Sequence, residues 1–302
     1  MLKTLLDKKI WLITQPDHAE VSGFLAAHWG NGEFARPGYF ADSPDPEQLR
    51  AETVLAIAEH DNGWWEWDAA PEISEADGLP LGLSDLLKNQ QESMNRWRLG
   101  VPRFSRDHPY ASLLTSLHAY WLYAHRLHDD PDPAFTHLLF WKGSSAHLYG
   151  DQLDAASAFL EEIQEIQDEL TARLREDPAT AAWVDPEHLY PHARLLQNLD
   201  GLSLSLCSAL ILPHTGEARG LGEDAFDLLE VPRRSWEDRG TVALKPVGER
   251  RIACLPYPFD VDPLPVMVPA RILDRPAGAS PYLHSWWHSE PRQLIWFEYC
   301  SG

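Results

Sequence analysis

The most regular alternation of apolar and polar positions lies between residues 151 and 176. There Leu153, Ala156, Leu160, Ile163, Leu170 and Leu174 recur at near seven-residue spacing against an acidic background. That pattern predicts an amphipathic helix with one packed stripe and one solvated one. Near the start, the run KIWLIT (9–14) predicts a short strand or extended entry. Thr14, with Pro16 and Asp17 behind it, predicts a helix start. This helix runs to about Trp29 and carries His18, Val21, Leu25 and His28 on one side. GNGEFARPGYFADSPDPE reads as loop. A second helix begins near Pro46 with Leu49, Thr53, Ile57 and His60 on one stripe. Asp61 falls about 100° further round, and Gly63 is expected to end the helix.

Residues 68–106 read as a polar, tryptophan-containing middle. Asp107 and Pro109 then open the strongly apolar helix HPYASLLTSLHAYWLYAHRLH, and PHARLLQNLDGLSLSLCSALIL, from Pro191, reads as a buried one. From about Trp236 the pattern changes to the short runs TVALKPVG, RIACLPYPF, LPVMVPARIL and QLIWFEYC, divided by Pro, Gly and charge. These predict a small antiparallel sheet. The expected architecture is therefore mainly α, with a helical domain over residues 1–235 and a small β-rich appendage over 236–302 packed on it. There is no internal repeat.

Composition narrows the function classes. A chain of 302 residues can bury an ample core. It has no run of about 18 apolar residues, so no membrane span is expected. The apolar stretch SLSLCSALILP is too short and too late for a signal peptide, and the N-terminus reads as mature protein. Three widely spaced cysteines, Cys207, Cys254 and Cys300, argue against a disulfide framework or a cysteine zinc site, and a reducing cytoplasm is the expected setting. A formal charge of −21 disfavours a nucleic-acid duplex as partner, because phosphate neutralisation needs Lys and Arg.

Candidate chemistry centres on histidine–aspartate pairs. His128-Asp129 stands in RLHDDPDP at a helix end and reads as loop. His60-Asp61 stands in AEHDNGWWEW, downstream of His18 and upstream of Asp200. A lone carboxylate in a helix as apolar as LLQNLDGLSLSLC is costly unless paired, protonated or metal-bound. Arg194 and His192, on the same helix, are the alternative partners of Asp200. Imidazole and carboxylate together suit Mn, Fe, Ni, Co or Zn, and Mg as well.

With these residues the chain resembles the HD superfamily of metal-dependent phosphohydrolases. PDHAEVSGFLAAHW looks like the family's first helix, EHDNGW its His-Asp turn, and NLDGLSLSLC its last motif, over roughly residues 14 to 212. HDNGW lacks the lysine that one branch carries after the glycine, and the long span from Asp61 to Asp200 requires insertions. TQPDH and AEHDNGW are also similar to segments of an uncharacterised bacterial family of unknown function, which implies no activity.

The resemblance implies an HD-type helical bundle and one divalent ion held by His18, His60, Asp61 and Asp200. In two-metal branches two more histidines intervene, and here His118 fits one slot and His147 or His125 the other. The implied reaction is hydrolysis of a nucleotide or other small phosphate ester by metal-activated water. A di-iron oxygenase of the same superfamily and a non-catalytic metal-binding scaffold are the alternatives. Arg96, Arg98, Arg103 and Arg106 cluster as candidate phosphate contacts, or as a solubilising loop. Glu59 and Glu66 flank the pair as a candidate general base or anchors. Trp64, with Trp65 and Trp67, walls a pocket or simply packs. The expected partner is a small phosphorylated substrate, with no duplex and no membrane; the oligomeric state stays open.

Overall fold

Thr14 caps the first helix as its position predicts, its hydroxyl accepting from the Asp17 amide at 3.0 Å with Pro16 in the first turn. The computed structural model describes residues 1–6, 8–75, 77–82, 85, 90–127, 133–143, 148, 150–209, 220–274 and 290–302. Its helices are α1 (Gln15–Ala27), α2 (Pro46–Ala58), α3 (Trp65–Ala69), α4 (Gln90–Arg103), α5 (Pro109–Leu127), α6 (Asp151–Glu176) and α7 (Pro186–Cys207). The strands are β1 (Leu2–Leu5), β2 (Lys9–Ile13), β3 (Phe226–Pro232), β4 (Arg239–Gly248), β5 (Arg251–Leu255), β6 (Leu264–Asp274) and β7 (Gln293–Ser301).

The strands form one seven-stranded sheet in the order β1-β2-β6-β7-β5-β4-β3. Among the described strands only β5 and β7 pair in parallel; the other neighbours are antiparallel. Helix covers about 49% of the chain, and the curled, half-barrel sheet about 22%. The expectation of a mainly α, all-helical bundle with a small β appendage is therefore corrected. The reason is non-local: Ile10 to Leu12 of β2 pair with Arg271 to Leu273 of β6, across about 260 positions, and no local pattern reveals such a partner.

Alternation along β6 and β7 does show which face is inside. Val266, Val268, Ile295 and Phe297 are buried while Met267, Leu294 and Trp296 are exposed. The buried face joins apolar residues of α1, α2, α5 and α7 in a single core. The polar middle contains α4, whose buried Met94, Trp97 and Val101 fall at helical spacing. α7 begins at Pro186, which takes the first helical position where a missing N–H costs nothing, so the helix starts five residues before the proposed Pro191, and Pro191 lies inside it. Among the described residues no helix is long and apolar enough to cross a membrane.

His192 of α7 is fully buried, with the Gly38 amide donating to Nε2 at 2.8 Å and the Tyr110 hydroxyl 2.8 Å from Nδ1. The amide fixes the tautomer: Nδ1 carries the proton and donates to Tyr110. Burial pushes its pKa down to about 3. A depressed folded-state value means that the unfolded chain binds the proton first, so stability is present above about pH 6.5 and is lost as pH falls toward 3. The expected loss is about 1.4 kcal/mol per pH unit in that window. Urea denaturation of wild type and His192→Asn at pH 7, 6 and 5 checks this, since the variant should show a shallower acid slope; equal slopes would refute the assignment.

Candidate metal centre

Five chain segments bring six side chains to one buried point. α1 contributes His18 one turn past its cap, and α7 contributes Asp200 from mid-helix. α5 contributes His118, and the segment before the 3-10 turn Leu138–Gly143 contributes His137. His60 and Asp61 lie just beyond α2, which ends at Ala58 with Glu59 as its C-cap. His18, His60, Asp61, His118, His137 and Asp200 are each at most 5% exposed.

The distances describe a shared shell. His18 Nε2 is 2.8 Å from Asp61 Oδ2, and His60 Nε2 is 3.8 Å from that oxygen. On the other carboxylate, Asp200 Oδ1 lies 3.5 Å from His60 Nε2 and 3.8 Å from His18 Nδ1. Its Oδ2 lies 3.3 Å from His118 Nε2 and 3.0 Å from His137 Nε2. Ligand atoms at about 2.0–2.2 Å from one ion stand roughly 3 Å apart. Within this set, one ligand atom each from His18, His60 and Asp200 lies within 4.8 Å of the others.

Tautomers point the same way. His60 Nδ1 donates to the Ile57 carbonyl at 2.8 Å, so its Nε2 lone pair faces the two carboxylates. Ser203 Oγ donates to the Asp200 carbonyl at 2.9 Å and thereby accepts from His18 Nδ1 at 3.0 Å and from Ser22 Oγ at 2.8 Å. His18 Nε2 therefore also presents a lone pair, 2.8 Å from a carboxylate oxygen. Two acceptors at that distance need a proton or a cation between them. His60 Nε2 and Asp200 Oδ1 are buried with no partner in hydrogen-bond geometry, so the donor set fits a divalent ion.

Electrostatics carry the same demand. Among the described residues, no Lys or Arg ion-pairs with Asp61 or Asp200. Burial lowers the His60 pKa, but Asp61 and Asp200 outweigh it and hold the imidazole at about 9. Burial likewise raises Asp200, yet His60 and His137 hold it well below the usual carboxylate range. Without an ion, the His60 imidazole carries balancing positive charge.

His137 differs from the others. The Leu139 amide donates to its Nδ1 at 3.1 Å, which leaves the proton on Nε2 beside Asp200. Its Nε2 stands 3.0 Å from Asp200 Oδ2 but, like His60 Nε2, has no partner in hydrogen-bond geometry. Sequence reasoning missed His137, which lies outside any helical period; its only signal was its order between Asp61 and Asp200. His125, a candidate for that slot, bonds the Phe135 carbonyl instead at 2.9 Å. His147, the other, lies outside the described residues, as does His128-Asp129.

A cavity of about 80 Å³ opens on the cluster, reached by His18, Asp61, His118 and Asp200 and walled by Trp64 and Trp97. Trp65 is instead 38% exposed, under Arg103. The four candidate arginines do not line this cavity. Arg96 pairs with Glu92 at 2.5 Å and Arg98 with Glu162 at 2.6 Å. Arg103 grips Glu66 through two bonds of 2.9 Å, and Arg106 stands almost fully in solvent. Glu66 is held below its ordinary pKa by that Arg103 bond, whereas Glu59 is raised by burial and then by Glu20. Neither glutamate reaches the cavity lining.

Gly63 does not end α2, which stops five residues earlier. A Cβ there would lie 2.0 Å from the Arg96 carbonyl, and one at Gly100 3.1 Å from Gly63 Cα. The glycine lets α4 pass against the backbone of the His-Asp turn. Gly63→Ala is expected to destabilise the fold by about 3 kcal/mol or more, because backbone must shift. A thermal melt tests it, and a wild-type midpoint would exclude this packing.

Comparison with known proteins adds little chemistry. No curated protein matches the chain, and no solved structure does. The profile of a family described as "Protein of unknown function (DUF3891)" matches residues 1–275. With that match over most of its length, the chain belongs to the DUF3891 family.

Proposed function

We propose that the chain is a metal-dependent hydrolase of HD type that cleaves a small phosphate ester. The observation that carries this reading is the buried convergence of His18, His60, Asp61 and Asp200, with both imidazole Nε2 lone pairs turned toward carboxylates. These four residues would hold one divalent ion. When bound, such an ion supplies Lewis acidity toward a phosphoryl oxygen and lowers the pKa of water.

The protein's own residues do the rest. Ser203 and the Ile57 carbonyl fix the tautomers of His18 and His60. His137 Nε2 lies 3.0 Å from Asp200 Oδ2, while Trp64 and Trp97 restrict water around the reacting group. His118 lines the cavity with no hydrogen-bond partner at Nδ1, and burial holds its pKa down to about 4. It is thus neutral and placed to accept a proton there. Three buried free cysteines fit a cytoplasmic setting.

Phosphate release from a panel of small phosphate esters, with protein loaded with Mn, Ni, Co, Zn or Fe, tests the proposal. Metal-dependent release is expected. Full metal loading with no release, but with oxygen consumption by the iron form, would replace hydrolysis by oxygenation.

A further inference from the structure

The cavity beside the cluster has a second chemical end. Besides the cluster residues and aromatic walls, Gln15, Ser93, Tyr123 and Arg126 line it. Arg126 is the one Lys or Arg among the described lining residues and is only 7% exposed. Its guanidinium bonds Gln90 Oε1 and lies 5.7 Å from the centre of the Tyr123 ring. Tyr123 is 2% exposed, and its hydroxyl faces the Ser93 side chain of the same lining without meeting hydrogen-bond geometry. A buried hydroxyl without a partner costs stability unless something outside the chain completes it.

In a protein of net charge −21 a phosphorylated substrate is repelled by most of the surface, so a buried cation in the cavity wall is what would hold it. Arg126 lies eight residues beyond His118 on α5, about 12 Å along the helix axis. Helical side chains lean toward the N-terminus, which shortens that reach. The span suits a small phosphate ester.

We propose that Arg126 and the Tyr123 hydroxyl form the anion-binding end of this cavity, donating to phosphate oxygens of the substrate. This rests on the hydrolase reading above and replaces the Arg96–Arg106 cluster as its phosphate contact.

The test titrates inorganic phosphate by calorimetry into metal-loaded wild type, Arg126→Gln and Tyr123→Phe, with metal content measured on the same samples. Arg126→Gln is expected to weaken phosphate about ten- to a hundredfold, and Tyr123→Phe about three- to tenfold, with metal content unchanged. Tyr123→Phe removes a hydroxyl that meets hydrogen-bond geometry with no group of the protein, Ser93 being its neighbour, so its melting temperature should stay level or rise while phosphate binding falls, which a merely structural tyrosine would not show. That variant also carries the test if Arg126→Gln fails to fold. Wild-type phosphate affinity in Tyr123→Phe, or in folded Arg126→Gln, at full metal content would overturn the proposal. Absence of metal from every sample would instead strike the hydrolase reading, and the same titration on metal-free protein would still read the two residues.

Discussion

Asp200→Asn is expected to abolish metal-dependent stabilisation and to lower any hydrolysis at least about a thousandfold. Asp200 sits between His60 on one oxygen and His118 and His137 on the other, all buried. Asparagine keeps the volume but removes the negative charge and replaces one acceptor by a donor amide facing imidazoles. An ion present at about a hundred times its dissociation constant stabilises the wild-type fold by about 2.7 kcal/mol. In the variant the same addition should yield under about 0.5 kcal/mol, a loss of roughly seventyfold or more in apparent affinity by that relation. Thermal melts with and without added Mn or Ni measure it. Equal metal-induced shifts in the two proteins would remove Asp200 from the ligand set.

The second large effect lies away from the site. Arg194→Met should destabilise the fold by about 3–5 kcal/mol, a cost appropriate to stripping a buried charged donor from its acceptors. Arg194 is 1% exposed and was one alternative partner for Asp200. It instead donates to the carbonyls of Thr136 at 2.7 Å, Leu229 at 2.7 Å and Glu230 at 3.2 Å, and to Gln197 Oε1 at 3.1 Å. These bonds tie α7 to β3 and to the segment that carries His137, so the same guanidinium that anchors the sheet fixes the approach to the metal centre. Methionine preserves the stem and leaves the carbonyls without their donor. A denaturant midpoint close to wild type would show that water replaces the guanidinium at little cost.

Local patterns in the sequence locate most of what builds the site. Cap chemistry at Thr14 and the position of Pro46 mark where α1 and α2 begin, and these helices carry His18 and lead into His60-Asp61. The cost of an isolated carboxylate in an apolar helix singles out Asp200, and the structure puts it against the histidines. What local reasoning could not see depends on partners distant in the chain. β1 and β2 complete a sheet whose other strands begin after residue 225, so strand runs at the two ends give no sign of belonging together. The stripe of α4 was masked by its polar surroundings, although Met94, Trp97 and Val101 obey helical spacing. His137 enters through a turn with no period, and Arg126 was passed over for the four denser arginines, which turn out to pair with surface acids or to face solvent. Charge density along the chain marks solvated surface as readily as it marks a binding site.

The central claim is that His60-Asp61 is a ligand pair. Elemental analysis of the untagged protein, beside Asp61→Ala prepared identically, addresses it most directly. The account predicts about one transition-metal ion per chain in the wild type and its loss in the variant. Metal content unchanged by the substitution would contradict it, making the pair a buried turn and removing the hydrolase reading with it.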